Sequence, residues 1–198
     1  MRRVIFTVVA GVAAMVALGL GGGCSRRRPP ARPTPSPATA PAATQPFPGG
    51  TFSRPNVGVR LDWPAGWAER PSQEFVLLLV GAGGGDLAPS ISLDVPSLPP
   101  HIPGLIPIGS VRSGYLDDLR KPVGRIRTTD LAPPAVGATA RFVRSTWTDE
   151  DGRAWQESAL LIVHADRVYI LRGRSLAAEE DATRAAFDEI VRSLKWTR

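Results

Sequence analysis

The sequence predicts an α+β fold: a mostly antiparallel β-sheet flanked by helices, arranged as an α-β-α sandwich. Two long segments, residues 138–148 and 153–165, have strand character and are joined by Asp149-Glu-Asp-Gly152, a composition typical of a hairpin turn. Near the C-terminus, an apolar stripe at the spacing of one helical face consists of Phe187, Ile190, Val191 and Leu194. Sequential strands combined with helices favour this class of fold.

The first half of the folded part predicts three strands. In residues 57–63 the apolar side chains occupy every second position, as in a half-buried strand. Residues 75–80 form a continuous apolar run, which suits a strand covered on both faces. Residues 91–95 predict a third, shorter strand. Residues 96–109 contain five prolines and no periodic pattern, so a loop is expected there.

The remaining elements follow in order along the chain. Residues 111–121 predict a short helix, with Ser110 as its cap and Pro122 as its end. Strands are expected over residues 123–131 and 167–174, before and after the long hairpin. A helix over residues 178–195 is expected to end the domain.

The N-terminal segment has the layout of a secretory signal peptide. Arg2 and Arg3 precede 17 residues without charge, Val4 to Leu20, and small residues follow. The ending Leu20-Gly-Gly-Gly-Cys24 resembles a bacterial lipobox, although Gly21 stands where that motif usually has leucine. This resemblance implies cleavage before Cys24 and a diacylglycerol on its thiol. The alternative is an uncleaved anchor with an unmodified Cys24, whose flanking Arg26 to Arg28 would favour a cytoplasmic domain.

Three regions are therefore expected: a signal peptide over residues 1–23, a disordered proline-rich tether over 24–55, and a folded domain over 56–198. The net charge of +6 is unevenly distributed among them. Seven of the 24 Lys and Arg residues precede residue 55, which leaves 17 against all 18 acidic residues in the domain. A nearly neutral domain argues against a nucleic-acid-binding protein, whose basic side chains line a face of the fold.

The order of elements carries a family resemblance over residues 56–196. An opening strand ends in Leu61-Asp-Trp-Pro-Ala-Gly-Trp67, a mid-chain helix and a long hairpin follow, and the closing helix contains Phe187-Asp-Glu-Ile-Val-Arg-Ser193. This order resembles the PsbP-like fold, shared by the extrinsic PsbP subunit of photosystem II, Mog-type Ran-binding proteins and DcrB-like bacterial lipoproteins. The resemblance implies an accessory or assembly role without catalysis, and no binding residue is carried over from it.

No residue pattern in the sequence indicates catalysis, a cofactor or a metal site. Gly81-Ala-Gly-Gly-Gly85 lacks the helix start that a phosphate loop requires. The two histidines, His101 and His164, are far apart in the sequence. The expected protein is therefore a lipid-anchored accessory protein on the periplasmic face of the bacterial envelope. It is expected to be a monomer that binds a protein partner. An envelope enzyme is the least favoured interpretation.

Two candidate binding regions remain open at this point. The proline-rich loop contains four large apolar residues that either fold onto the core or form a partner contact; they are Ile102, Leu105, Ile106 and Ile108. Alternatively, the domain binds a small molecule or lipid in a cavity between helix and sheet. The five tryptophans that either line such a cavity or pack in the core are Trp63, Trp67, Trp147, Trp155 and Trp196.

Overall fold

A computed structural model describes residues 47–197 except 83, 84, 86 and 99–103. The signal segment, Cys24, most of the tether and Ile102 lie outside these residues. The described strands are β1 Gly50–Arg54, β2 Val59–Trp63, β3 Trp67–Glu69, β4 Leu77–Gly81, β5 Ser90–Asp94, β6 Arg127–Leu131, β7 Thr139–Thr148, β8 Ala154–His164, β9 Arg167–Leu176 and β10 Lys195–Trp196. The helices are α1 Ile108–Val123 and α2 Glu180–Ser193, the latter preceded by a 3₁₀ turn at Ala177–Glu179.

The strands form two antiparallel sheets. The larger sheet has seven strands in the order β3-β4-β5-β9-β8-β7-β6, and the smaller has three in the order β1-β2-β10. Every described strand pair is antiparallel. The predicted α+β fold with a mostly antiparallel sheet is therefore confirmed.

The two faces of the larger sheet bury different clusters. On β8, Ala159 and Leu161 pack with α1, whereas Leu160 and Ile162 pack in the cluster that contains α2. This division follows from the pleat, because successive side chains of a strand point to opposite faces. The apolar run of β8 is thus buried on both faces, and helix, sheet and helix form the predicted layers.

The first strand corrects the predicted tether boundary. Residues 50–54 were expected in the disordered tether, but they form β1 and pair along the whole of β2. Phe52 explains the difference, because it is 3% exposed and belongs to the main core. One buried aromatic side chain and a neighbouring strand with free hydrogen-bonding groups are enough to order this short segment.

Both predicted ends of α1 were wrong. The helix begins at Ile108, inside the predicted loop, and its cap position is Pro107 with no side-chain hydrogen bond, so Ser110 is not the cap. Pro122 lies inside the last turn, and the helix ends one residue later. Gly124 provides the end, because its φ of +70° lies in the left-handed region that glycine tolerates. Its backbone N–H donates to the carbonyl of Arg120 at 2.8 Å.

Candidate functional site

An open cleft of about 1000 Å³ lies where β7 and β8 approach their connecting turn. Three chain segments, residues 123–127, 146–148 and 154–156, form its walls together with Arg120 and Ala177. The end of α1 leads directly into the first segment, and the pairing of Arg127 with Thr146 fixes β6 beside β7. Residues that are distant in sequence are thereby brought to one end of the sheet.

Two tryptophans form the apolar wall of the cleft. Trp147 and Trp155 lie directly opposite each other on β7 and β8, and their rings are 6.3 Å apart and within 7° of parallel. The guanidinium of Arg174, a residue of β9, lies 5.3 Å from the centre of the Trp147 ring. Cross-strand aromatic pairs of this kind stabilise a sheet, and here the pair also presents aromatic surface to the cleft.

Asp149 at the start of the hairpin turn holds Trp155 in place. Its Oδ2 accepts hydrogen bonds from Trp155 Nε1 at 2.8 Å and from Arg153 Nε at 2.7 Å. Its Oδ1 accepts from the backbone N–H groups of Asp151 and Arg153. The Trp155 N–H, followed by the Arg153 hydrogen bonds and charge, lowers the pKa of Asp149 to about 2. The turn therefore positions one wall of the cleft.

Asp149→Asn should destabilise the domain at neutral pH but not in strong acid. A carboxyl whose pKa is lowered by folding, here from 3.8 to about 2, stabilises the fold above the higher value. That contribution is lost as the pH falls through the lower one. The free energies of unfolding of wild type and variant, measured in urea at several pH values, should differ at pH 5 and converge near pH 2. Glu150→Gln is the control, and a difference that persists unchanged at pH 2 would contradict the assignment.

A buried ion pair lies beneath α1 next to the tryptophans. Glu157 is 1% exposed, and it accepts hydrogen bonds from the Tyr115 hydroxyl at 2.5 Å and from Arg174 Nε at 2.6 Å. Burial, and then the Glu157 carboxylate, raise the pKa of Tyr115, so the phenol stays protonated and donates. Arg174 also lies over the Trp147 ring. The ion pair between Glu157 and Arg174 therefore helps to hold Trp147 in place.

The three predicted partner-contact residues that the structure describes do not line this cleft. Leu105 is 63% exposed, Ile106 is half-buried, and Ile108 packs against the α1 cluster. Next to them, the backbone N–H of Gly104 donates to Asp166 in the β8–β9 turn. Ile102 and Cys24 lie outside the described residues. The partner contact therefore stays a prediction.

Of the five tryptophans, Trp147 and Trp155 line the cleft. Trp67 is buried in the main core, and Trp63 and Trp196 pack against it. Trp196 stacks on His164 with ring centres 3.9 Å apart and donates to the Val136 carbonyl. No sequence pattern indicates the three arginines in the cleft, because their position depends on where α1 ends and on the register of β6.

Two further observations concern only the residues that the structure describes. No three His, Cys, Asp or Glu side chains among them come together as metal ligands. Neither described helix combines the length and apolar character that a membrane span requires.

Comparison with solved structures gives the fold of the domain. LpqN of Mycobacterium tuberculosis, a protein involved in cell envelope biogenesis, matches with a TM-score of 0.57 and 17% identity, over 77% of this chain and 90% of LpqN. The domain shares its fold with LpqN. Cyanobacterial PsbP (CyanoP) of Synechocystis also matches, with a TM-score of 0.48 and 13% identity, over 81% of this chain and 99% of CyanoP. No family model and no curated protein sequence matches this chain.

The structural neighbours agree with the predicted PsbP-like resemblance at the level of the fold. At these sequence identities the likeness concerns the fold alone. It assigns no functional residue to the domain of this chain. The cleft is therefore described by its own lining, which includes a pair of fixed tryptophans and three arginines.

Proposed function

We propose that the protein is a lipid-anchored, non-catalytic accessory protein of the bacterial cell envelope that acts by binding. The observation that carries this proposal is Cys24, which follows the uncharged segment from Val4 to Leu20 and three glycines. The described domain supports an envelope role, since it shares its fold with LpqN, which is involved in cell envelope biogenesis. The tether between Cys24 and β1 would then hold the domain away from the membrane.

The chemistry of the cleft favours binding over catalysis. Its charged lining residues are arginines, whose guanidinium groups stay protonated in proteins and therefore do not exchange protons as general acids or bases. Arginine and tryptophan side chains instead hold ligands by charge and by stacking. The cleft supports the alternative that the domain binds a small molecule, and it is compatible with an accessory role.

A protein partner is proposed at a separate surface. Leu105 is one of the large apolar side chains that the described domain exposes most, and it lies next to Ile106 just before α1. A contiguous exposed apolar patch marks a contact with another protein, and the proposal is that Leu105 and its apolar neighbours contribute to such a patch. Ile102, Ile106 and Ile108 remain part of this proposed contact.

Cys24→Ser should release the protein from the membrane fraction or leave its signal segment uncleaved. Modification requires the cysteine thiol, so the intact mass of the wild-type protein should show loss of residues 1–23 and a diacylglycerol on Cys24. Ser25→Ala is the matched control and should stay modified. An intact wild-type mass that includes residues 1–23 and lacks lipid would overturn the anchoring proposal.

In-cell crosslinking of the same samples tests the partner. One discrete envelope complex is expected for the wild type, absent in Cys24→Ser. Leu105→Asp should also lose the complex without a change in its unfolding transition, whereas Leu87→Asp, at another exposed leucine, should keep it. A complex that survives Leu105→Asp would remove this segment as the contact.

A further inference from the structure

A small pocket between the start of α2 and the larger sheet is lined mainly by polar side chains. Gln156 and Ser158 of β8 and Ser175 of β9 form its floor, and Thr183 of α2 lies over them. In the sheet, Gln156 lies directly opposite Ser175, and Ser158 lies opposite Gly173. Three separate elements therefore bring hydroxyl and amide groups to one point on the sheet face that carries α2.

The polar groups of this pocket are buried, and most of them lack a partner. Each of its four polar side chains named above is at most 9% exposed. Gln156 Nε2 makes no hydrogen bond within the described residues, and the same holds for the hydroxyls of Ser158 and Ser175. The Thr183 hydroxyl donates to the Glu179 carbonyl at 3.1 Å, which leaves its oxygen free to accept. Buried polar groups in folded proteins are nearly always paired, either with protein or with ordered water.

The pocket exists because small residues meet between helix and sheet. Gly173 has no side chain, the serine side chains are short, and Phe187 of α2 fills only the space next to Gly173. The volume that remains is about 10 Å³, close to the minimum of roughly 10–15 Å³ that one water molecule needs. An organic ligand is too large for this space.

We propose that the pocket binds one buried water molecule, held by Ser158, Ser175 and Gln156. A buried water makes about three hydrogen bonds, and each hydroxyl can rotate to donate or to accept. The Gln156 amide can present its nitrogen or its oxygen by turning about its last side-chain torsion, which is broad. One water molecule thus pairs three buried groups that have no other partner among the described residues.

This water also affects the wall of the open cleft. Gln156 lines both the small pocket and the cleft, so an amide that is hydrogen-bonded to the water is held in one orientation. It then presents one fixed polar atom to the cleft. The proposal depends neither on lipid anchoring nor on the proposed protein partner, because it rests on side chains inside the domain.

Oxygen-17 magnetic relaxation dispersion tests the proposal, because it counts water molecules that stay inside a protein and does not respond to hydroxyl proton exchange. It is recorded for the full chain in neutral detergent over a range of temperatures, so that slow exchange does not hide the water. Ser158→Ala combined with Ser175→Ala leaves a more apolar pocket, and apolar cavities stay dry. The signal of this double variant should therefore fall by the amount of one long-lived water.

The matched control is Ser90→Ala combined with Ser92→Ala, which removes two hydroxyls from β5 outside the pocket and should keep the full signal. The thermal transition of each variant shows whether it folds. If the pocket double variant does not fold, Ser158→Cys replaces it, since the larger, weakly polar sulfur fills the pocket. A pocket variant that folds and keeps the full signal overturns the proposal, as does an equal loss in the control.

Discussion

Replacing Arg174 with methionine is expected to lower the free energy of unfolding by about 3 kcal/mol. Glu157 is 1% exposed, and Arg174 is the cation that pairs with it, at 2.6 Å. Methionine keeps an apolar stem of similar length but leaves a buried carboxylate without an opposite charge. The expected loss lies at the lower end for broken buried pairs, because the Arg174 side chain is itself 39% exposed. Urea unfolding followed by circular dichroism measures it.

A second substitution shows whether the unpaired charge is the cause. Glu157→Gln added to Arg174→Met removes that charge while an amide oxygen remains to accept from Tyr115. The double variant should therefore be more stable than Arg174→Met alone. Arg184→Met is the matched control, since Arg184 pairs with Asp181 on the surface and should cost less than about 1 kcal/mol. Equal losses for Arg174→Met and Arg184→Met would refute a buried-charge role for Glu157.

Phe187→Ala is expected to destabilise the domain by about 3–5 kcal/mol. Phe187 is 2% exposed and stacks on Phe142 of the larger sheet with ring centres 5.9 Å apart. It also covers Gly173 of β9, where an added Cβ would lie 3.0 Å from Phe187 Cδ2. The side chain thus fills the space that glycine leaves between helix and sheet, and alanine would leave a cavity there. The loss is measured by urea unfolding, with Glu189→Ala on the exposed face of α2 as the control.

The contact between Phe187 and Gly173 makes a further outcome testable by the same measurement. Gly173→Ala should destabilise the wild-type domain, because its Cβ approaches the Phe187 ring too closely. In the Phe187→Ala background that approach no longer exists, so the same change should cost less. The two substitutions should therefore be non-additive. Additive losses would mean that helix and sheet do not meet at this point.

Sequence reasoning recovered the elements whose patterns are long and local. The hairpin was predicted over residues 138–148 and 153–165 and is observed as Thr139–Thr148 and Ala154–His164. Alternation over ten residues and a turn rich in Asp and Gly are visible without knowledge of the rest of the chain. The apolar stripe on α2 was also predicted, because the regular spacing of its residues lies within one continuous segment.

The elements that sequence reasoning missed are short and depend on distant partners. Strand β10 has two residues, Lys195 and Trp196, and exists because β2 lies beside it. Strand β3 has three residues and pairs with β4 across a turn. A segment of two or three residues has no period to detect, so only the tertiary structure identifies it.

The candidate site was predicted in part. Trp147 and Trp155 were named as possible cavity residues because of their chemistry, and the structure places both in the cleft. Arg125 and Arg127 gave no signal, because two exposed arginines after a helix are common in any sequence. They join the lining of the cleft because β6 pairs with β7, a contact between segments that sequence patterns alone do not connect.

The position of β2 between β1 and β10 has a kinetic consequence for the domain. Its neighbours come from opposite ends of the folded part, and the backbone N–H of Asp62 donates to Ser193, 131 positions away. Closing so long a loop is slow in folding, and it requires the C-terminal segment to be present. The smaller sheet therefore cannot be completed until Lys195 and Trp196 have been synthesised, and until then one edge of β2 lacks the partner that β10 provides.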